Sequence, residues 1–363
     1  MASTATTGAA PSVTMTETSR RVERKPVPMW IWLAVVGAAL LPLVGGPTGL
    51  ISNFHFLQLS LMIVYSIAVL GLNLLTGFNG QISLGHGAFF AVGAYVAAIM
   101  IDRYEVHYIT TLPVAMLVCF VVGYLFGLPA LRLEGHYLAL ATFSLAIAVP
   151  QFLKYRHFEP FTHGVQGINI FKPDTPFGLP FSPDQWMFLI VLACAVLMFI
   201  LARNLVDSRI GRAMMAIRDQ PLAADTMGIN SAHTKAIAFG ISALYVGLAG
   251  ALHAIIFEFV SPDSFRFELS IALLVGAVVG GVATLAGAVV GGFFVQFIEK
   301  YADAATKLLT QTVHLPIELE PWTIYGIVLI VLMYTMPMGI AGGIGLLWRR
   351  LRSGHAEKQS ENH

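Results

Sequence analysis

Nine stretches of 14 to 30 residues carry no Asp or Glu and, apart from the terminal Arg203, no Lys or Arg. They lie at Met29–Leu50, Phe54–Thr76, Ala88–Ile101, Thr110–Leu131, His136–Leu153, Gln185–Arg203, Ala236–Phe257, Leu269–Ile298 and Trp322–Trp348. A helix crosses the hydrocarbon core of a bilayer with about 20 apolar residues, so stretches of this length and number belong in a membrane. Only 11% of the 363 residues are charged, where soluble domains carry roughly a quarter. The expected fold is all-α: a polytopic membrane helix bundle with broken glycine-rich helices.

Lys and Arg accumulate on the cytoplasmic side of membrane proteins, and this orients the spans. The cluster Arg20, Arg21, Arg24, Lys25, the run holding Arg203, Arg209, Arg212, Arg218 and Lys235, and Arg349, Arg350 and Arg352 are all expected inside. Six spans then lead from Met29 to Arg203, and the acidic loop with Glu258, Asp263 and Glu268 falls outside. For both termini to be cytoplasmic, Leu269–Ile298 has to cross twice or re-enter, which puts the loop with Asp303, Glu318 and Glu320 outside and gives about ten crossings. The expected domains are a disordered cytoplasmic tail at 1–28, a transmembrane domain at 29–348 and a cytoplasmic tail at 349–363. Within the domain, 154–184 is an external loop and 204–234 a cytoplasmic one. The N-terminal stretch reads as an uncleaved first span, since a long polar tail precedes it.

Two regions break the helical pattern. GFNGQISLGHG, Gly77–Gly87, holds four glycines and the polar residues Asn79, Gln81, Ser83 and His86 without a Lys or Arg. Glycine costs about 1 kcal/mol per helical position, and non-helical backbone at membrane depth is tolerated where protein or a watery cavity bonds it. The run reads as a broken helix beside a solute path, or as a tight cytoplasmic turn before a capped helix. The second region, Gly276–Gly292, contains GAVVGG twice and reads as close helix packing, as does Gly123–Gly127. Breaks in corresponding parts of the two halves suggest an internal repeat of the transporter kind.

Several chemistries are excluded. No carboxylate lies in a span, which disfavours ion-coupled carriage. No GK dipeptide occurs, so the chain has no phosphate-cradling loop of its own. No catalytic constellation or metal-ligand spacing appears; Cys119, Cys194, His136, His253 and His314 read as packing or loop residues. The basic residues form no stripe that would suit nucleic acid. The chain reads as neither an enzyme nor a metal or cofactor protein.

What remains is the basic, helix-competent segment SRIGRAMMAIRDQPLAADTMGIN, Ser208–Asn230. Asp219 or Gln220 can cap a two-turn helix that starts at Pro221 and stops at Gly228. Leu222, Ala223 and Met227 give it an apolar face, ringed by Arg212, Arg218, Asp219 and Asp225. Such a segment either rests on lipid headgroups or docks a soluble partner.

GRAMMAIRDQPLAADTMGIN resembles the cytoplasmic loop of LivM-type permeases of branched-chain amino-acid ABC importers. LGLNLLTGFNGQISLGHGAFFAVGAY (Leu70–Tyr95), EGHYLALATFSLA (Glu134–Ala146) and FVSPDSF (Phe259–Phe265) fit the same family in order and spacing. The likeness covers nearly all of Leu57–Trp348; it departs from the family pattern at Thr162–Gly164 and Gly280–Gly287. The resemblance implies a multi-pass permease subunit of the bacterial inner membrane, pairing with a second, LivH-like permease, two ATP-binding subunits and an external substrate-binding protein. ATP and Mg would sit on those partner subunits. The cargo would be branched-chain amino acids or related small polar solutes. It also implies that Arg218, Asp219, Pro221, Ala224 and Gly228, with Arg212, Leu222 and Met227, form the ATPase-coupling element, and that Asn79, Gln81, Ser83 and His86 lie near the translocation path. The competing expectation is a passive channel or facilitator for a solute such as urea or an amide.

Overall fold

The computed structural model describes residues 35–42, 52–130, 136–173, 175, 181–297 and isolated positions between 326 and 343. The tails 1–28 and 349–363, most of Met29–Leu50 and Trp322–Trp348, and the loop with Asp303, His314, Glu318 and Glu320 lie outside the described residues. The chain divides into two units, Met1–Leu40 and Leu41–His363. The first contributes a helical stretch from residue 35; the account below concerns the second.

Five helices are long and apolar enough to cross a membrane among the described residues. Helix α1 (Asn53–Asn73) runs into a π-helical turn, Leu74–Phe78, and after an extended link α2 (His86–Tyr104) begins. Helices α3 (Tyr108–Ala130), α4 (His136–Leu153) and the single turn α5 (Glu159–Thr162) follow. Then come α6 (Pro183–Val206), α7 (Arg209–Asp219), α8 (Pro221–Thr226) and α9 (Ser231–Phe257). The last are α10 (Phe267–Gly280) and α11 (Leu285–Phe297). The departure from all-helical structure is a two-residue antiparallel pairing of β1 (Ile168–Asn169) with β2 (Phe259–Val260), Ile168 opposite Val260.

Helix α9 is the centre of the bundle. Its apolar window is 83% buried, against 28% for α3, so α9 is sheathed by α1, α2 and α3 while α3 turns most of its surface outward. Small residues make that possible. A side chain on Gly250 would strike the Phe90 carbonyl of α2, and one on Gly247 would strike Cys119 of α3. Cys119 is fully buried in this crossing, in the packing role expected of it. The glycine-rich repeats pack as expected too: Gly280 lies against Gly287, and Gly276 against Gly291.

The stretch Leu269–Ile298 is two helices. Residues 281–284 turn the chain, with Gly281 at φ 123° and Ala283 at φ 60°. At 1.5 Å per residue, α10 and α11 are each about 20 Å long, short of the roughly 30 Å hydrocarbon thickness.

The loops sort into two ends. One end gathers the start of α1 and residues 102–107, 154–173, 181–184 and 258–268. Ser182 Oγ bonds Asn53 Oδ1 at 3.0 Å, Lys154 pairs with Asp263 at 2.6 Å, and Lys172 pairs with Asp184 at 2.8 Å and Glu258 at 2.9 Å. Burial alone would lower the Lys172 pKa, but hydrogen bonds and charge from Asp184 and Glu258 outweigh it and raise the value. The Lys154 hydrogen bond holds the exposed Asp263 carboxyl below its usual range. The opposite end gathers the α1–α2 link with α7 and α8.

The close α2–α9 crossing makes a prediction. Gly250→Leu sets a side chain against backbone that cannot give way, and overpacking of this kind costs about 1–3 kcal/mol. The variant should melt well below the wild type in detergent. An unchanged melting temperature would refute the crossing.

Candidate functional site

The basic end carries the handle. Ser208 caps α7 by accepting from Gly211 N–H at 3.3 Å, and Gly211, Met214 and Ile217 form its buried face. Pro221 opens α8 in the first turn, where a missing N–H is no loss. Gly228 ends it with φ 83°, as expected. Of the two expected caps, Gln220 occupies the position, without a side-chain hydrogen bond, and its backbone (φ −150°) makes the corner between the two helices; Asp219 is the last residue of α7.

The expected coupling residues divide by direction. Leu222 (82% exposed) and Met227 (83% exposed) project outward as an apolar pair, while Ala224 is buried and anchors α8. Arg212 Nη1 donates to the Asp207 carbonyl at 2.8 Å and so closes the end of α6. Arg218 points inward. Its Nη1 donates to the Gly77 carbonyl at 2.9 Å, and its Nε and Nη2 hold Asp219 Oδ1 at 2.8 Å. Asp225, Gly228, Asn230 and Lys235 line an open recess of about 510 Å³ beside the exposed pair.

Arg218 thereby touches the break between α1 and α2. Beyond the π turn, Asn79 Nδ2 donates to Gln81 Oε1 at 2.9 Å. Ser83 Oγ lies 2.9 Å from His86 Nδ1, and His86 Nε2 lies 2.6 Å from Ser242 Oγ. Ser242 Oγ in turn donates to the Gly71 carbonyl at 2.6 Å. With its one proton spent on Gly71, Ser242 accepts from His86, which assigns the Nε2–H tautomer and leaves Nδ1 to accept from Ser83. Ser83 and His86 are fully buried, Asn79 is 2% and Gln81 8% exposed, so in this conformation the four residues are enclosed in protein. His86 holds α2 to α9 in place of a helix cap.

Residues not singled out in the sequence complete the site. Asn73 reaches from the end of α1 to the turn between α10 and α11: its Nδ2 donates to the carbonyls of Thr284 at 2.8 Å and Gly281 at 3.3 Å, and its Oδ1 accepts from Ala283 N–H at 2.8 Å. Thr142 Oγ1 receives Leu84 N–H at 3.0 Å, and Ser270 Oγ receives Gly87 N–H at 2.9 Å. Each is a polar residue in a largely apolar stretch, which is the signal that could have found it. The two breaks therefore meet, with Arg218 against one side of the junction. Among the described residues, no group of His, Cys, Asp and Glu could hold a metal ion.

Comparison with known proteins agrees with this architecture. Residues 56–341 match the family described as branched-chain amino acid transport system / permease component. The chain is 34% identical over 248 residues to the high-affinity branched-chain amino acid transport system permease protein LivM of Escherichia coli (strain K12), covering 62% of this chain and 58% of that protein. LivM of Salmonella typhimurium matches to the same extent. BraD of Pseudomonas aeruginosa, a permease protein of the same description, is 25% identical over 268 residues, 68% of this chain and 86% of BraD. The chain thus spans 58% of the length of the LivM proteins it matches. No solved structure matches it. With the family match covering most of its length and its apolar helices laid out as above, the chain belongs to the branched-chain amino acid transport permease family and is a multi-pass membrane protein.

Proposed function

We propose that this chain is a permease subunit of an ATP-driven importer in the bacterial inner membrane, moving branched-chain amino acids or related small polar solutes into the cell. Its partners are a second permease of similar kind, two ATP-binding subunits that carry ATP and Mg, and an external substrate-binding protein. The basic end faces the cytoplasm, as do the tails 1–28 and 349–363, and the ion-paired loop 154–184 faces outside. Loop 204–234 is where the ATP-binding subunits dock. The transmembrane domain 29–348 crosses about ten times, with α10 and α11 crossing or re-entering as a pair.

The observation that carries the reading is the handle: an outward apolar pair, Leu222 and Met227, at α8, directly after an arginine at the end of α7 that is bonded to the broken helix. Closure of the ATP-binding subunits displaces α7 and α8, and Arg218 transmits the displacement to Gly77. A side chain on Gly77 would strike both Asn73 and the backbone of Ala283, so the π turn is in direct contact with the second break. The movement biases a two-state pore between outward and inward openings. Asn79, Gln81, Ser83 and His86 border the path, and the enclosed arrangement is its closed state.

Two outcomes are expected. The Leu222→Ser, Met227→Ser double variant removes the apolar anchors of docking, and anchors of this kind contribute about 2 kcal/mol or more, a factor of roughly 30 in affinity. Copurified ATP-binding subunit should fall accordingly; undiminished retention would sink the docking assignment. Asn73→Leu strands the Ala283 N–H, costing about 1–3 kcal/mol, and cuts the link between the breaks. In the reconstituted complex it should hydrolyse ATP while uptake fails. Uptake by the wild type that survives ATP depletion would instead identify a passive facilitator.

A further inference from the structure

The middle of the bundle holds polar atoms that neither the helix packing nor the handle uses. Among the described residues, Tyr95 Oη and His253 Nδ1 are buried without a hydrogen-bond partner. Tyr95 is 2% exposed and His253 8%. Proteins seldom leave such atoms orphaned, since a buried polar group without a partner is destabilising.

The two residues come from different helices and converge on one ring. Phe265, the tip of the 3₁₀ turn Pro262–Phe265, lies 6.2 Å from the His253 ring and 6.3 Å from the Tyr95 ring. Phe90 stands 5.3 Å from His253 and 6.0 Å from Phe265, and Tyr65 lies 6.3 Å from His253 and 6.1 Å from Phe90. A third buried atom without a partner, Glu268 Oε2, belongs to the first turn of α10, three residues beyond Phe265.

Their depth is set by helix position. Tyr65 stands at the midpoint of the continuous span Asn53–Phe78, and Tyr95 is the central residue of His86–Tyr104. With a rise of 1.5 Å per residue, Tyr65 is about 18 Å from either end of its span. Phe265 itself is buried, but the preceding Asp263 and Ser264 are exposed. His253, in contrast, is four residues from the end of α9 at Phe257, about 6 Å, so the cluster runs from mid-bundle toward the end that carries residues 258–268, where Phe265 closes it.

We propose that Tyr65, Phe90, Tyr95 and His253 form a solute subsite inside the bundle, on the side of residues 258–268, occluded here by Phe265. It takes a small solute with an aliphatic side chain and a polar, amine-bearing head. The side chain lies on Tyr65 and Phe90. The head pairs with the Tyr95 hydroxyl and His253 Nδ1 when Phe265 withdraws. The polar atoms are left without partners in the occluded state because their partner is the solute. This subsite is separate from His86, Ser83 and Ser242, whose hydrogen bonds are already taken within the protein. The inference rests on the permease reading given above.

The test uses the complete importer, with its partner permease, ATP-binding subunits and binding protein, in proteoliposomes with labelled leucine. If the wild type takes up no leucine with ATP, the functional reading fails, and this inference with it. Given wild-type uptake, Tyr95→Phe should lower it about tenfold or more, as expected when a site built to hydrogen-bond a solute loses a donor. ATP hydrolysis should persist, and the melting temperature should be unchanged or raised, because deleting an orphaned hydroxyl relieves the packed protein. Unchanged uptake, or a loss of uptake that tracks a fall in melting temperature, would overturn the subsite. Phe265→Ala should raise ATP-independent leucine leak severalfold; leak at the wild-type level would overturn the occluding role of Phe265.

Discussion

Backbone that leaves a helix inside a bilayer finds no water to bond, and every break in this bundle is closed by a side chain from elsewhere in the fold. Ser242 takes the Gly71 carbonyl and Arg218 that of Gly77; Thr142 and Ser270 receive the amides of Leu84 and Gly87. Asn73 alone serves three backbone groups of the turn at 281–284. Each bond is worth about 0.5–1.5 kcal/mol net, but leaving the group unbonded costs about 1–3 kcal/mol. The penalty for separation, more than the gain from contact, ties α1, α2, α4, α7, α9 and α10 to a single junction.

The same constraint separates what was legible in the sequence from what was not. Length and apolarity announced the long helices, glycine clusters announced the two breaks, and charge sorted the loops into ends. Pro221 and Gly228 marked the start and stop of α8. These are local signals, read within a turn or two of the residues that carry them. The clasp of Asn73 on residues 281–284 spans 208 to 211 positions. A single asparagine in LGLNLL carries no local mark of a partner so far away. His86 illustrates the same limit: nothing in its polar run points to its partner Ser242, which lies 156 positions on in an apolar helix. Asp219 and Gln220 both suit the cap position of α8 in sequence, and the corner between α7 and α8 decides for Gln220.

The ion pairs at the other end follow from the topology. Lys172 and Lys154 lie in the long loop before α6, their acidic partners Glu258 and Asp263 in the short one after α9, and the β1–β2 pairing holds the two loops in register. Charges that read separately as two external loops are one surface. Exposed pairs of this kind contribute little to stability, so their effect is to set where the 3₁₀ turn of Pro262–Phe265 sits over the bundle.

Arg218 has one guanidinium and two obligations, the Gly77 carbonyl within the membrane domain and Asp219 at the surface. A partner that offers its own carboxylate to Arg218, or its own cation to Asp219, changes the strength with which Gly77 is held. Linkage runs both ways: whatever factor docking contributes to one pore state, that pore state returns to the docking affinity. On the functional reading advanced here, occupancy of the transport path would then be reported to the ATP-binding subunits through the same side chain that receives their movement, with no second signalling element.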